Sequence, residues 1–482
     1  MKIGLICGDG LPVSGLLTVF RSVYRLGRSM GVFDHMVVAD LGYSWRADKT
    51  RFFPNGPDSH PYPPWLRPTV NDAIAGLDRA ELSAELEDIR RCVAAFDGLV
   101  EAERQSLVDR IETLRQVYFD HFRTWLERHD PDWVFAVNLT LPHAVSVTSA
   151  LYMAAERHYR ARRGGLVIWD HDLCGSNGRW DIAIDRRFYP SVPNDVTPLP
   201  AEAAHVNWIV VSQGLAREAE SYDTTSRPKV IANLLPVIPP GIDDRHHEFT
   251  RQLELSLERP ILLSPVRIYR VKGVNQSLRF HAEVVGECLR RSLPPPYLLV
   301  FGDLDEDPDY GDELVALRDE LATEKYVRFL GGVPLESVRE ADGDWRLDEV
   351  DLLRLARATH GGVVFTPSVS DFETVGLGAG LAAAAEVPAV STRYNAFDEF
   401  YGAAGISCTT FETDGTGMTD AAVEFVDVLA GFARRDAELI AGLKRNRQAV
   451  ESLFPTDPWR TLLDSMNDGT ASSDPPVEER TM

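Results

Sequence analysis

Lysine is scarce in this 482-residue chain. It stands only at positions 2, 49, 229, 272, 325 and 444, so the basic side chains are mostly arginines and Lys272 is easy to notice. Cysteine is also sparse: Cys7, Cys92, Cys174, Cys288 and Cys408 are spread out, with no CxxC and no zinc-like spacing. That pattern argues against a disulfide scaffold and for a reducing, cytoplasmic setting. No apolar run approaches the ~20 residues needed to cross a bilayer. "MKIGLICGDG" has too short an apolar run for a signal peptide and is expected to form a first buried strand. Positive charge is in deficit. A net charge of -23 argues against a nucleic-acid or anionic-membrane surface, because both attract basic patches. It still allows a small anionic substrate in a locally basic cleft.

What is present is ordinary soluble composition, 44% hydrophobic and 26% charged, in a chain long enough for two domains. "KIGLIC", "HMVVAD", "DWVFAV", "GLVIWD" and "NWIVVS" are short and rich in Val and Ile, as buried parallel strands are. Helical patterns lie between them, the longest from about Pro68 to His129. The Pro-rich "NLLPVIPPGIDD" (Asn233–Asp244) marks a linker. After it the alternation resumes with "PILLSPV", "YLLVFGD", "YVRFLGG", "GGVVFTPS" and "VPAVST". The expected organisation is two Rossmann-like α/β domains over residues 1–236 and 237–450, a C-terminal helix at 451–466 and a disordered polar tail at 467–482.

Two stretches carry chemistry. "PVRIYRVKG" sets Arg267, Arg270, Lys272 and Gly273 just beyond a strand, where ligands bind in open α/β sheets. "DFETVGLGAGLAAAAEVPAV" sets Glu373 ahead of a helix expected to begin near Gly376. Glycines and helix-start N–H groups there suit an anion. The following Ala run is packing against the sheet.

The motifs R-x4-K-G (Arg267 to Gly273), PS-x4-E (Pro367, Ser368, Glu373) and E-x2-G-L, in this order, resemble retaining glycosyltransferases of the GT-B fold, specifically glycosyltransferase family 4. "PPGID", "FGD" (Phe301–Asp303), "VRFLGGV" and the Trp459 helix follow the same order. The resemblance implies a helix returning to the N-terminal domain and a nucleotide diphosphate sugar, UDP- or GDP-linked, as donor. It implies Arg267 and Lys272 on the diphosphate, Glu373 on donor-sugar hydroxyls, and His171 of "DHD" also at the sugar. Gly376 and Leu377 would grip the phosphates through their backbone, with Gly302, Asn395, Ala396 and the Ser14–Gly15 pair lining the donor site. His143 and Asp172 would line the acceptor site, mostly in the N-terminal domain. The family's second Glu, after seven intervening residues, is replaced by Leu381. Altered ribose recognition is therefore expected, with Leu381→Glu changing nucleotide affinity more than turnover. Glu386 lies five helical steps further, turned about 140° away, and is no substitute.

The implied enzyme needs no metal or other cofactor, and chelation should leave it active. Its partners are a nucleotide-sugar donor and a small polar acceptor, in secondary-metabolite or thiol-sugar biosynthesis; nucleic acid and integral membrane are excluded, and a homodimer is open. Other readings compete. Asp170 and Asp172 fit the D-x-D of metal-dependent GT-A transferases, as do Asp303–Asp305 and Asp307–Asp309. With 73 acidic residues such matches arise by chance. "DDRHHEF" (Asp243–Phe249) looks like metal ligands but suits surface charge better. A non-catalytic nucleotide-sugar-binding protein is a further class, supported by Leu381. A phosphorylase lacks a candidate pyridoxal lysine, and an epimerase's acidic constellation is not evident.

Overall fold

The Val- and Ile-rich runs become strands because both of their faces are covered. The computed structural model describes residues 1–8, 14–42, 44–45, 62–70, 79–181, 185–371 and 373–469. Every residue of Ile3–Cys7, Trp133–Val137 and Gly165–Asp170 is buried. Such continuous apolar runs belong in a parallel sheet with helices on both sides.

Seven strands form the N-terminal sheet, in the order Leu66–Pro68, Val37–Asp40, Ile3–Cys7, Trp133–Val137, Gly165–Asp170, Val206–Val210 and Lys229–Val230. Six form the C-terminal sheet: Val327–Phe329, Tyr297–Val300, Ile261–Ser264, Gly362–Phe365, Ala389–Arg393 and Thr409–Glu412. All neighbouring pairs in both sheets are parallel. Strand order reverses direction at Ile3–Cys7 in one sheet and Ile261–Ser264 in the other. A crevice opens beyond the carboxyl ends of strands at such a reversal. Residues 14–15, 138, 267–273, 366–371 and 373–377 all follow strands flanking these two reversals.

The expected strands all form. The edge strands Leu66–Pro68, Lys229–Val230 and Thr409–Glu412 were not expected, nor were two short antiparallel pairings, Trp180–Asp181 with Arg186–Arg187 and Val338–Arg339 with Trp345–Arg346. The long helical pattern is two helices among the described residues, Arg79–Ala94 and Glu101–His129, separated by a 3-10 turn at Phe96–Gly98. The helix expected near Gly376 starts two residues later, at Gly378. Of the expected tail, residues 470–482 lie outside the described residues.

Among the contacts that join the domains away from the crevice are two buried ones. Helix Ala437–Leu453 ends in a turn before Pro455, and helix Asp457–Asp468 then packs on the N-terminal domain. Trp459 is fully buried there. Its ring meets Trp169 edge-on at 4.8 Å, and its indole N–H donates to Ala232 O at 2.8 Å. The second contact is Arg21, fully buried on helix Gly15–Ser29. Its guanidinium donates to Leu335 O at 2.7 Å and Glu349 Oε1 at 3.2 Å, with Asp348 at 3.8 Å. Beside it, Trp65 donates to Glu336 at 3.0 Å and Arg25 reaches the same carboxylate at 3.4 Å.

Candidate active site

Two loops of the C-terminal domain are bound edge to edge. Arg270–Lys272 forms a single 3-10 turn, and Gly273, at φ +65°, starts helix Val274–Arg290. Ser368 donates from its hydroxyl to Arg270 O at 2.8 Å and from its N–H to Val271 O at 3.2 Å. Thr366 Oγ1 donates to Gly273 O at 3.1 Å. A Cβ on Gly273 would stand 1.8 Å from Thr366 O. Gly273→Ala is therefore expected to cost about 1–3 kcal/mol for the left-handed backbone alone, and more for the clash. Denaturant unfolding measures this; an unchanged midpoint would contradict the close approach.

This arrangement places Lys272 Nζ 2.5 Å from Glu373 Oε1. Arg267 is anchored differently. Glu306, only 4% exposed, accepts from Ile268 N–H at 2.7 Å and lies 3.4 Å from Arg267 Nε. The Arg267 guanidinium also covers the Tyr269 ring at 4.8 Å. Gly302 passes so close that a Cβ would meet Ile268 N at 2.5 Å. Arg270, by contrast, is taken up by Glu313 at 2.6 Å.

The N-terminal domain closes the other side. Asn138, at φ 54° just after its strand, accepts from His171 N–H at 2.6 Å and donates to Asp172 Oδ2 at 3.2 Å. Thr374 donates across the crevice to His171 O at 2.7 Å. Burial pushes the Asp172 carboxyl up to about 6; Lys272 opposes the rise and Glu373 adds to it. Thr374, next to Glu373, ties that loop to the backbone of His171, beside Asp172. Burial also holds His171 down to about 4, so its ring is neutral at pH 7. Its Nε2 lies 3.0 Å from Asn233 Oδ1, while Nδ1 is buried without a protein partner. With Nε2–H donating to Asn233, Nδ1 is left as an acceptor.

The structure thus brings the Lys272–Glu373 pair to one side of the crevice and the His171–Asp172 segment to the other, with Arg267 on the same loop as Lys272. Gly376, at φ +66°, offers its carbonyl to Tyr401 Oη at 2.7 Å, and Leu377 caps helix Gly378–Ala385. A Cβ on Gly378 would fall 2.4 Å from Phe365 Cβ, so this glycine also serves close packing. Ser14 is buried, and its hydroxyl accepts from Leu16 N–H at 3.1 Å and Leu17 N–H at 3.3 Å. Its oxygen is thereby engaged in capping; Gly15 beside it is exposed, with open space around its Cβ position. Asn395 donates from its N–H to Ser370 O at 2.7 Å, tying it and Ala396 to the Glu373 loop. His143 sits in another cluster, 3.2 Å from Tyr189 Oη and stacked on Phe188.

Leu381 is 4% exposed, in the same apolar cluster as Leu352, Val363 and Leu443. An acid there would be desolvated among aliphatic groups. Leu381→Glu is accordingly expected to cost about 3 kcal/mol or more of stability, ahead of any effect on nucleotide affinity. A thermal melt matching the wild type would refute this. Glu386 caps the helix in the left-handed conformation and pairs with Arg447 at 2.6 Å and Arg357 at 3.3 Å.

The D-x-D reading does not survive the fold. Asp170 is fully buried and accepts from the Trp208 indole at 2.8 Å, and the two-domain parallel architecture is not that of a GT-A enzyme. Among the described residues, no three His, Cys, Asp or Glu side chains converge as metal ligands. Asp243 of "DDRHHEF" caps helix Asp244–Gln252, with Arg245 at 2.9 Å and buried His246 at 3.0 Å. No helix among the described residues is long and apolar enough to cross a membrane. Sequence reasoning missed Asn138, Asn233, Glu306 and Thr374. Asn138 alone left a trace, an Asn directly after a buried strand.

No protein-family model matches the chain, and no curated protein does. Solved structures do. A sucrose-phosphate synthase from Thermosynechococcus elongatus is similar at 15% identity and TM-score 0.56, covering 97% of this chain and 98% of that one. HepE of Anabaena, in complex with UDP-glucose, is similar at 14% identity and TM-score 0.54, covering 97% and 99%. A glycosyltransferase from Rickettsia africae is similar at 12% identity and TM-score 0.52, covering 97% and 98%. Over nearly its whole length, then, this chain has the GT-B fold, two Rossmann-like domains facing a crevice, that these glycosyltransferase structures share.

Proposed function

We propose that this protein is a retaining glycosyltransferase that moves a sugar from a UDP- or GDP-sugar to a small polar acceptor. The carrying observation is the convergence, across the crevice, of Lys272 and Glu373 on one wall with His171 and Asp172 on the other. Arg267 and Lys272 would face the diphosphate, with the backbone at Gly376 and Leu377 as further donors. As the bond to the sugar breaks, negative charge grows on the leaving diphosphate, and preorganised cations in an enclosed site stabilise it strongly. Glu373 would bind sugar hydroxyls, and His171 Nδ1 would accept from one. Lys272 and Glu373 hold each other, so the donor would take over both partners: phosphate for the lysine, hydroxyls for the carboxylate. Asp172 would line the acceptor side, with Ser14, Gly15, Gly302, Asn395 and Ala396 shaping the donor pocket and His143 a more distant acceptor contact. This reading includes a cytoplasmic, metal-independent enzyme, supported by the cysteine pattern and by the cationic side chains available to the diphosphate.

The test is incubation with UDP-glucose, other UDP-sugars and GDP-sugars, with nucleotide release followed by chromatography and product configuration by NMR. UDP-glucose comes first because HepE was solved with it. Release with retained configuration, unaffected by EDTA, supports the proposal; inversion or metal dependence overturns it. Burial of Leu381 where the resembled family carries an acid favours a second reading, a nucleotide-sugar-binding protein without turnover. Binding with no release in the same assay would select it.

A further inference from the structure

In a chain of net charge -23, one concave surface of the C-terminal domain is cationic. A cavity of about 540 Å³ is lined by Arg357, His360, Phe432, Arg435, Ile440 and Lys444, among others, with no acid in its wall. Buried Phe432 lies edge-on to the His360 ring at 5.4 Å and, with Ile440, gives the cavity an apolar side. The neighbouring acids are already partnered, Glu386 by Arg357 of the cavity wall itself. Glu386 is held by Arg357 and Arg447, and Asp436 accepts from Glu438 N–H at 3.0 Å and Leu439 N–H at 3.1 Å. Arg435 and Lys444 are exposed and, among the described residues, make no ion pair. His360 leads into the start of strand Gly362–Phe365, whose far end carries the Glu373 loop. The cavity therefore lies at the opposite end of the domain from the proposed donor site.

We propose that this cavity is a second binding site, for a phosphate group borne on an apolar body. Arg435 and Lys444 supply the positive charge, and Phe432 and Ile440 the apolar contact. Burial and the nearby Arg435 lower the His360 proton affinity, which leaves the ring neutral and able to hydrogen-bond one phosphate oxygen. Such a ligand is either a small soluble phosphate ester or the headgroup of an anionic lipid, and the two are separable.

The test compares the wild-type chain with the double variant Arg435→Ser/Lys444→Ser. Both side chains are exposed, and an unchanged melting temperature confirms folding. Calorimetric titration with phenyl phosphate is expected to show binding that weakens roughly tenfold or more in the variant, from the loss of two charge-assisted contacts. Sedimentation with phosphatidylcholine vesicles, with and without phosphatidylglycerol, forms the second arm. Binding of phenyl phosphate lost in the variant supports a soluble ester. Binding only to phosphatidylglycerol vesicles, lost in the variant, supports a lipid headgroup. Binding of either probe that the variant leaves unchanged, or no binding of either to the wild type, overturns the proposal.

Discussion

Lys272→Met is expected to slow nucleotide release from the donor sugar by about 10²–10³-fold, the usual effect of removing one preorganised stabiliser of developing negative charge. Methionine keeps most of the stem and removes the charge, so the loss falls on the transition state more than on folding. Lys272 is also the partner of Glu373 at 2.5 Å and helps keep Asp172 ionised. Without it, Asp172 should hold its proton to higher pH. The ionised fraction then falls in the neutral range, and residual activity should climb with pH further into the alkaline range than in the wild type. Lys272→Arg keeps the charge and is expected to recover part of the rate. Steady-state release assays over pH decide the matter. A rate within threefold of wild type would remove Lys272 from the proposed mechanism.

Arg21→Met is expected to cost about 3–5 kcal/mol, the range for leaving buried charge without its partner. Arg21 is fully buried and bridges from the first helix to Leu335 O, Glu349 and Asp348 of the other domain. Burial raises the carboxyl of each acid above its ordinary value, and Arg21 opposes that rise in both. A carboxyl with a raised folded-state value binds protons more tightly folded than unfolded, so its contribution to stability declines as pH rises through that region. Removing Arg21 enlarges the effect. The variant should lose more stability than wild type as pH rises from about 4 to neutrality, the ordinary carboxylate range upward. Adding Glu349→Gln should restore part of the loss, because one of the two stranded charges is gone. Chemical denaturation at acid and neutral pH measures both. A loss below about 1 kcal/mol with no pH dependence would show that this contact is not what joins the domains.

How much was legible beforehand depends on the range of each interaction. The central strands were visible because covering both faces of a parallel strand demands an unbroken apolar run, as in Trp133–Val137 and Gly362–Phe365. The edge strand Lys229–Val230 and the antiparallel pairings of Trp180–Asp181 with Arg186–Arg187 and of Val338–Arg339 with Trp345–Arg346 leave no such run, since two-residue pairings need little apolar cover. Helix Gly378–Ala385 was expected two residues early. Gly376 takes up a left-handed turn instead, with its carbonyl held by Tyr401 from a later segment.

The site divides in the same way. Arg267, Lys272, Gly273 and Glu373 lie on two loops following neighbouring strands, so short local motifs and the resemblance they carry were enough to single them out as candidates. Glu306, Asn233, Asn138 and Thr374 act on residues dozens to hundreds of positions away, and apart from the place of Asn138 directly after a buried strand no local pattern marks them. Leu381 shows the limit from the other side. Its place in the motif was readable, but its burial with Leu352 and Leu443 was not. Two α/β units, a hinge between them and a basic loop beside an acid-led glycine turn are written in local residue patterns, because strand patterning and turn chemistry are local. Which groups meet across the crevice, what charge they carry there and which glycines serve packing emerge from the folded arrangement. Those properties follow from desolvation and close approach between segments far apart in the chain.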